Sequence, residues 1–148
     1  MKFILTKELG RLAKWLRILG YDAVYYDKDD RSKLIILSLR EGRIVLTRDS
    51  KLSKFTGIRM IRIADNEVKK QLEQVFKELG PSLTEKDTFT RCVECNEMLS
   101  DIQKDSVKDK VPPYVFKHET RFKKCNSCGK IFWNGTHLDL VKNFLEKK

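Results

Sequence analysis

The sequence lacks the features of a membrane or exported protein. It has no run of about 18 apolar residues, the length that a membrane-spanning helix needs, and no signal peptide with a small-residue cleavage site. We therefore predict a cytoplasmic protein. Internal repeats and low-complexity tracts are absent too, which leaves an ordinary globular chain. Cysteine is scarce, with four residues, and in a reducing compartment these are more readily metal ligands than disulfides.

The charge balance favours a polyanionic partner. Charged residues make up 35% of the 148 positions, and the formal net charge is +10. Both halves of the chain are basic, so the excess is not confined to one tail. A basic surface of this kind favours nucleic acid, although a generally soluble, basic surface explains the same charge. The hydrophobic content of 41% is enough for a real core.

Short apolar runs alternate with amphipathic segments over the first 80 residues. The central run, three apolar residues at 44–46, follows Gly42 and predicts a strand buried on both faces, as in the middle of a parallel sheet. The pattern predicts an α/β fold, a three-layer domain with a parallel sheet, followed by a small zinc-ribbon domain. The predicted strands cover 2–5, 22–26, 44–46 and 58–63, the helices 8–19, 33–40, 50–55 and 67–79, and the domains 1–80 and 90–148, with a linker at 81–89.

Acidic residues follow each of the four predicted strands. Glu8, Asp27, Asp49 and Asp65 all come shortly after a strand, and parallel strands end at one edge of the sheet. Carboxylates gathered there repel one another unless a cation lies between them, and hard oxygen ligands suit Mg²⁺ or Mn²⁺. Such ions activate water and stabilise a phosphate transition state, so these four acids predict a nuclease. The alternative is that each acid only caps the helix that follows it.

A cationic stripe on the first helix is a candidate RNA surface. Arg11 and Lys14 share one side of this helix, Arg17 flanks them, and Trp15 projects between the polar and apolar faces. The indole is either a residue at the edge of the core or a ring that stacks on a base. Arg48, beside Asp49, is predicted to hold the RNA backbone together with Arg11, Lys14 and Arg17.

The four cysteines form two C-x₂-C pairs, Cys92 with Cys95 and Cys125 with Cys128. Each pair predicts a tight turn that presents two thiolates to one tetrahedral Zn²⁺. Four thiolates leave no open coordination position, so this zinc is predicted to be structural. Neither His118 nor His137, the two histidines, is needed as a ligand. A last helix is predicted over 137–146.

Several segments together resemble the Mut-seven C-terminal RNase domain family. They are 2–20, with its LGRLAKWLRILGYD run, the LTRD segment ending at Asp49, the VPPYV segment 111–115 and the CGKIFW segment from Cys128. The resemblance spans nearly the full chain. It implies a PIN-like nuclease fold fused to a zinc ribbon, with metal-dependent RNase activity.

One position departs from that family. Its members usually carry an Asp directly after the first strand, where this sequence has Thr6, and Glu8 is the acid that stands nearest. Three hypotheses follow: a metal-dependent ribonuclease, an RNA-binding protein that has lost catalysis, or an adaptor that docks onto a ribonucleoprotein. Oligomeric state and protein partners are not predicted.

Overall fold

The computed structural model describes residues 1–55, 57–80 and 89–133. These residues form two compact units, and each is described separately below. The first contains 1–17 and 21–80, and the second contains 89–133 together with 18–20. The predicted linker, apart from residue 89, and the predicted helix at 137–146 lie outside the described residues. The predicted domain boundaries remain a prediction.

A four-stranded parallel sheet forms the centre of the first unit, and it confirms the predicted α/β fold. The central strand, Ile44–Thr47 (β3), is buried at all four positions, and its first three residues are apolar, as a strand covered on both faces requires. The strand order is β2-β1-β3-β4, so the first and third strands lie in the middle of the sheet. The bounds are β1 Lys2–Leu5, β2 Asp22–Tyr25, β3 Ile44–Thr47 and β4 Met60–Arg62.

The helices that connect these strands follow the predicted alternation. Two of them end at glycines in the left-handed region, Gly42 with φ 65° and Gly80 with φ 57°, where a residue with a Cβ would be strained. Short 3₁₀ turns at Lys7–Leu9 and Ser50–Lys54 begin the crossovers after β1 and β3. The helix bounds are α1 Gly10–Ile18, α2 Arg31–Glu41 and α3 Val68–Leu79.

Acidic residues lie at the starts of two helices. Helix α2 begins two residues earlier than predicted because Asp30 is its N-cap, and the Asp30 carboxylate accepts from the backbone N–H of Lys33 at 3.0 Å. Helix α3 has Glu67 at its N-cap, and Asp65 instead accepts from the Glu67 N–H at 2.8 Å. Asp65 therefore forms a turn just before the helix.

The opposite, N-terminal edge of the sheet is held by one arginine. Arg43 pairs with Asp22 at 2.7 Å and with Glu41 at 2.6 Å, and also donates to the carbonyl of Phe3 at 3.2 Å. Its side chain is 9% exposed. Asp22 is thus a structural acid at the far edge from the strand ends that carry the candidate site.

The second unit is a small antiparallel sheet with its own core. The strand order is β5-β6-β7. Phe122 lies at the centre of the core and contacts Trp133 with ring centroids 6.4 Å apart. Val107, Val111 and Val115 complete the buried cluster. The bounds are β5 Ser100–Ile102, α4 Pro113–His118, β6 Phe122–Lys124 and β7 Ile131–Trp133.

No helix in the described part of the chain has the length and apolar character needed to cross a membrane.

Candidate functional site

A cavity of about 310 Å³ opens at the C-terminal edge of the parallel sheet. Its position follows from the topology, because β1 and β3 are neighbours and both end there. Carboxylates and cations face the same space. The lining residues are Thr6, Lys7, Glu8, Tyr26, Lys28, Asp29, Asp30, Arg31, Leu34, Asp49 and Leu52.

Glu8 turns back from the start of the 3₁₀ turn to the ends of both central strands. Its Oε1 accepts from the backbone N–H of Arg48 at 2.9 Å, from the hydroxyl of Thr6, and from the hydroxyl of Thr47 at 3.4 Å. Burial opposes ionisation, but these three donors outweigh it and hold the pKa of Glu8 below its ordinary value. Glu8 is therefore a carboxylate at neutral pH, fixed where β1 and β3 end.

Asp49 is fixed from two sides. Its Oδ1 accepts from the backbone N–H of Lys51 at 2.9 Å, which caps the following 3₁₀ turn, and its Oδ2 pairs with Arg31 at 2.8 Å. The Lys51 N–H and the Arg31 guanidinium together lower the pKa of Asp49. Asp49 caps a turn and also lines the cavity, so its position agrees both with a structural role as a cap and with a role at the site.

The structure brings together two of the four predicted acids. Glu8 and Asp49 line the cavity, whereas Asp27 and Asp65 are not among the described residues that line it. Asp29 and Asp30, which come shortly after Asp27 in the sequence but were not among the predicted site residues, do line the cavity. Asp29 pairs with Lys7 at 2.5 Å, and Lys7 lowers the pKa of Asp29.

The predicted RNA-contacting residues are not equally accessible. Arg11 and Lys14 are exposed on α1, and Trp15 is half-buried. Arg17 is 8% exposed and donates from Nε to the carbonyl of Ala23 at 2.8 Å, so it ties α1 to β2 and does not share that surface. Arg48 is exposed and lines a second, smaller cavity.

The buried hydroxyl of Thr47 contacts both the residue after β1 and the backbone after β3. Its Oγ1 accepts from the Asp49 N–H at 3.0 Å and lies 3.0 Å from the Thr6 Oγ1, and the residue is 0% exposed. We expect Thr47→Val to keep the shape and lower the free energy of unfolding by about 1–3 kcal/mol, because it leaves the Asp49 N–H without an acceptor. Urea denaturation measures this. Thr47→Ser, which keeps the hydroxyl, is the control, and a Val variant as stable as wild type would contradict the prediction.

A separate candidate centre lies in the second unit. The Sγ atoms of Cys92, Cys95, Cys125 and Cys128 all lie within 4.8 Å of one another, and the Cys92–Cys128 distance is 3.7 Å. Tetrahedral Zn²⁺ with Zn–S bonds of about 2.3 Å places sulfurs about 3.8 Å apart. The donor set and its spacing therefore fit one zinc ion. The four cysteines are placed to hold a metal, as predicted.

The two C-x₂-C loops have the same backbone hydrogen bonds. In each loop the first cysteine's carbonyl accepts from the N–H four residues on, Asn96 at 2.9 Å and Gly129 at 2.8 Å. Each of those residues is in the left-handed region, with φ 64° for Asn96 and 77° for Gly129. Each first cysteine N–H also donates to the carbonyl five residues on. Two matched loops present their thiols to one centre.

Two of these thiols have pKa values shifted in opposite directions. Burial opposes ionisation of Cys125, but the backbone N–H groups of Cys128 and Ser127 outweigh it and lower its pKa to about 7. The pKa of Cys95 is raised to about 12, first by the contact with Cys128. A cation among the four sulfurs favours the thiolate form of all of them.

Comparison with known proteins gives one match. The family model described as Mut7-C RNAse domain matches residues 1–145. No curated protein and no solved structure matches the chain significantly.

Proposed function

Because the chain belongs to the Mut7-C RNAse domain family, we propose that it is a ribonuclease that requires Mg²⁺ or Mn²⁺ and hydrolyses RNA at the acidic cavity. The observation that carries this proposal is the convergence of Glu8 and Asp49 at the ends of β1 and β3. Both have lowered pKa values, so both are anionic at neutral pH. We propose a cytoplasmic location, because a reducing compartment keeps the four free cysteines as thiols that can hold a metal.

The carboxylates present fit a divalent ion that completes its shell with other oxygens. Among the described residues, three or more side chains that could bind one metal ion come together at the cysteine cluster. The acids of the cavity therefore do not form a complete set of metal ligands by themselves. Mg²⁺ commonly takes only one or two carboxylates and shares the rest of its shell between water and substrate phosphates. Glu8 and Asp49 supply two hard oxygen ligands of that kind.

The residues that line the cavity have different roles in the proposed hydrolysis of the phosphodiester. Glu8 and Asp49 would hold the divalent ion, which would supply a lower pKa for water and stabilise negative charge on the phosphate. Lys7, Lys28 and Arg31 line the same cavity and attract the RNA backbone. Thr6 occupies the position of the family's expected Asp, and its hydroxyl donates to Glu8, so Glu8 takes over that acid's place.

The wider RNA surface is formed by α1. Arg11 and Lys14 are exposed beside the half-buried Trp15, an arrangement suited to backbone contacts and to base stacking. We assign the structural metal of the cysteine cluster as Zn²⁺, because thiolate ligands in tetrahedral spacing select it. Asp27 and Asp65, which the sequence also predicted as metal ligands, do not belong to the described lining of the cavity, and the proposal does not use them.

The direct test is cleavage of end-labelled single-stranded RNA by wild-type protein. We expect cleavage with Mn²⁺ or Mg²⁺ and none after chelation of these ions under conditions that leave the zinc in place. Salt-dependent binding without cleavage would support the alternative, an RNA-binding protein that has lost catalysis because of Thr6. Absence of RNA binding at low salt would leave the adaptor hypothesis.

Arg31 competes with a metal ion for Asp49. The ion pair is 2.8 Å long and partly exposed, so it contributes little stability and opens readily. We expect Arg31→Ala to tighten Mn²⁺ binding by about three- to tenfold, since it removes a cation from the Asp49 carboxylate. Calorimetric titration of RNA-free protein with Mn²⁺ measures this.

Lys33→Ala is the matched control for that variant. Lys33 is exposed on the same helix and has the same charge, but it does not belong to the described lining of the cavity. An equal gain in Mn²⁺ affinity for both variants would show a general charge effect and contradict the competition.

A further inference from the structure

A second cavity, of about 280 Å³, lies at the ends of β3 and β4. It is lined by Arg48, Arg62, Ile63 and Ala64. Arg62 is the last residue of β4 and lies opposite Thr47, the last residue of β3. Arg48 follows Thr47 directly. The parallel register therefore places two arginines at one opening on the C-terminal edge of the sheet.

The backbone on both sides of this cavity is held by specific hydrogen bonds. Arg48 N–H donates to Glu8 at 2.9 Å, and Ile63 N–H donates to the Thr47 carbonyl at 2.7 Å. Gln74 on α3 binds the loop after β4 twice. Its Oε1 accepts from Ala64 N–H at 2.9 Å, and its Nε2 donates to the Arg62 carbonyl at 2.8 Å. The arginines thus project from fixed positions.

The charges at this cavity are not compensated within the described part of the chain. Neither the Arg48 nor the Arg62 guanidinium has an ion pair or hydrogen bond to another described residue. Two like charges at one opening repel each other, and an anion between them relieves that repulsion. Guanidinium groups match the geometry of phosphate, to which they donate two parallel hydrogen bonds.

We propose that this cavity binds a phosphate group of the RNA, next to the phosphate that is cleaved. The inference rests on the proposed function and extends it to a second substrate position. Arg48 joins the two positions, because its backbone N–H contacts Glu8, its side chain lines the arginine cavity, and Asp49 follows it. The bound group is either an internal phosphodiester or a 5′-terminal phosphate.

The test compares Arg62→Ala with Arg59→Ala. Arg59 is also exposed, but it precedes β4 and so lies at the other end of the strand from the cavity. Both variants lose one positive charge. The probes are two RNA oligonucleotides of one sequence, with a 5′-hydroxyl or a 5′-phosphate, and binding is measured by fluorescence anisotropy without Mn²⁺ at several salt concentrations.

We expect Arg62→Ala to weaken binding by about five- to tenfold and Arg59→Ala to change it less than twofold. The salt dependence, as the slope of log K against log salt, should fall by about 0.7 for one lost phosphate contact on a single strand. Equal weakening of both RNAs identifies an internal phosphodiester, and weakening of the 5′-phosphorylated RNA alone identifies a terminal phosphate. Arg62→Lys should restore part of the affinity.

Equal effects of the Arg62 and Arg59 variants would overturn the phosphate site. The outcome is separable from the nuclease proposal, because binding is measured without catalysis. If wild-type protein fails to cleave RNA but Arg62→Ala selectively weakens binding, the nuclease proposal fails and the phosphate site stands. If wild-type protein cleaves RNA but the Arg62 and Arg59 variants bind RNA equally well, the nuclease proposal stands and the phosphate site fails.

Discussion

Glu8→Gln and Asp49→Asn should each reduce RNA cleavage by at least about 100-fold while RNA binding stays within about twofold of wild type. Each substitution keeps the size of the side chain and removes the negative charge that a divalent ion requires. The loss belongs to the chemical step, so it should appear in kcat more than in KM. Single-turnover cleavage at saturating protein measures it.

Asp27→Asn and Asp65→Asn separate the cavity from the wider set of acids. Both acids follow strands, but neither belongs to the described lining of the cavity. We expect their cleavage rates to stay within about fivefold of wild type, since Asp65 mainly holds a turn through the Glu67 N–H. A loss at Asp65 as large as that at Glu8 would show that the ion binds elsewhere on the edge.

Thr6→Asp tests the position at which this chain departs from its family. Thr6 Oγ1 donates to Glu8, and an aspartate there would replace a donor with a second carboxylate. In the proposed mechanism the added charge strengthens metal binding. If Thr6→Asp alone creates cleavage that wild type lacks, the RNA-binding hypothesis is correct for the natural chain.

The sheet could be predicted because its strands have a local signature. The run 44–46 is apolar, and the structure buries these three positions together with Thr47, which ends the strand. The alternation of short strands and helices then leaves few topologies besides a parallel sheet. The C-x₂-C pairs were equally clear, since their spacing alone brings two thiols together in each turn.

The composition of the cavity could not be predicted in the same way. The order of the strands and the direction of each side chain decide which acids line the same cavity. Neither can be predicted from the local sequence. Glu8 reaches the edge only because the chain turns at Lys7–Leu9, and Asp29 enters the lining from a loop. A helical wheel placed Arg17 beside the cationic stripe of the first helix. Its long side chain lies at the border of the apolar face, where it buries its stem and donates to a backbone carbonyl.

Cys92→Ser should remove the bound zinc and unfold the second unit. The cysteine is fully buried, and a structural zinc ion contributes an apparent 10–16 kcal/mol, roughly, to the folding of small zinc domains. The core around Phe122 is too small to hold this unit without the metal. We expect one zinc per chain in wild type purified under reducing conditions, and less than about 0.2 in the variant.

Hydrogen exchange followed by mass spectrometry shows which part of the Cys92→Ser variant unfolds. Peptides from 89–133 of Cys92→Ser should exchange nearly as fast as unfolded chain, while peptides from β1 and β3 keep their protection, since the parallel sheet has its own core. Two variants serve as controls. Ser127→Ala changes the same loop as Cys125 without removing a thiol, and His118→Ala removes a candidate nitrogen ligand.

Both controls should keep one zinc per chain and wild-type exchange. Loss of zinc in His118→Ala would replace the four-thiolate assignment with a mixed one. Full zinc occupancy in Cys92→Ser would show that three thiolates and another ligand are sufficient. Wild-type protein that contains no zinc yet protects 89–133 would show that Phe122 and the three valines fold this unit without a metal.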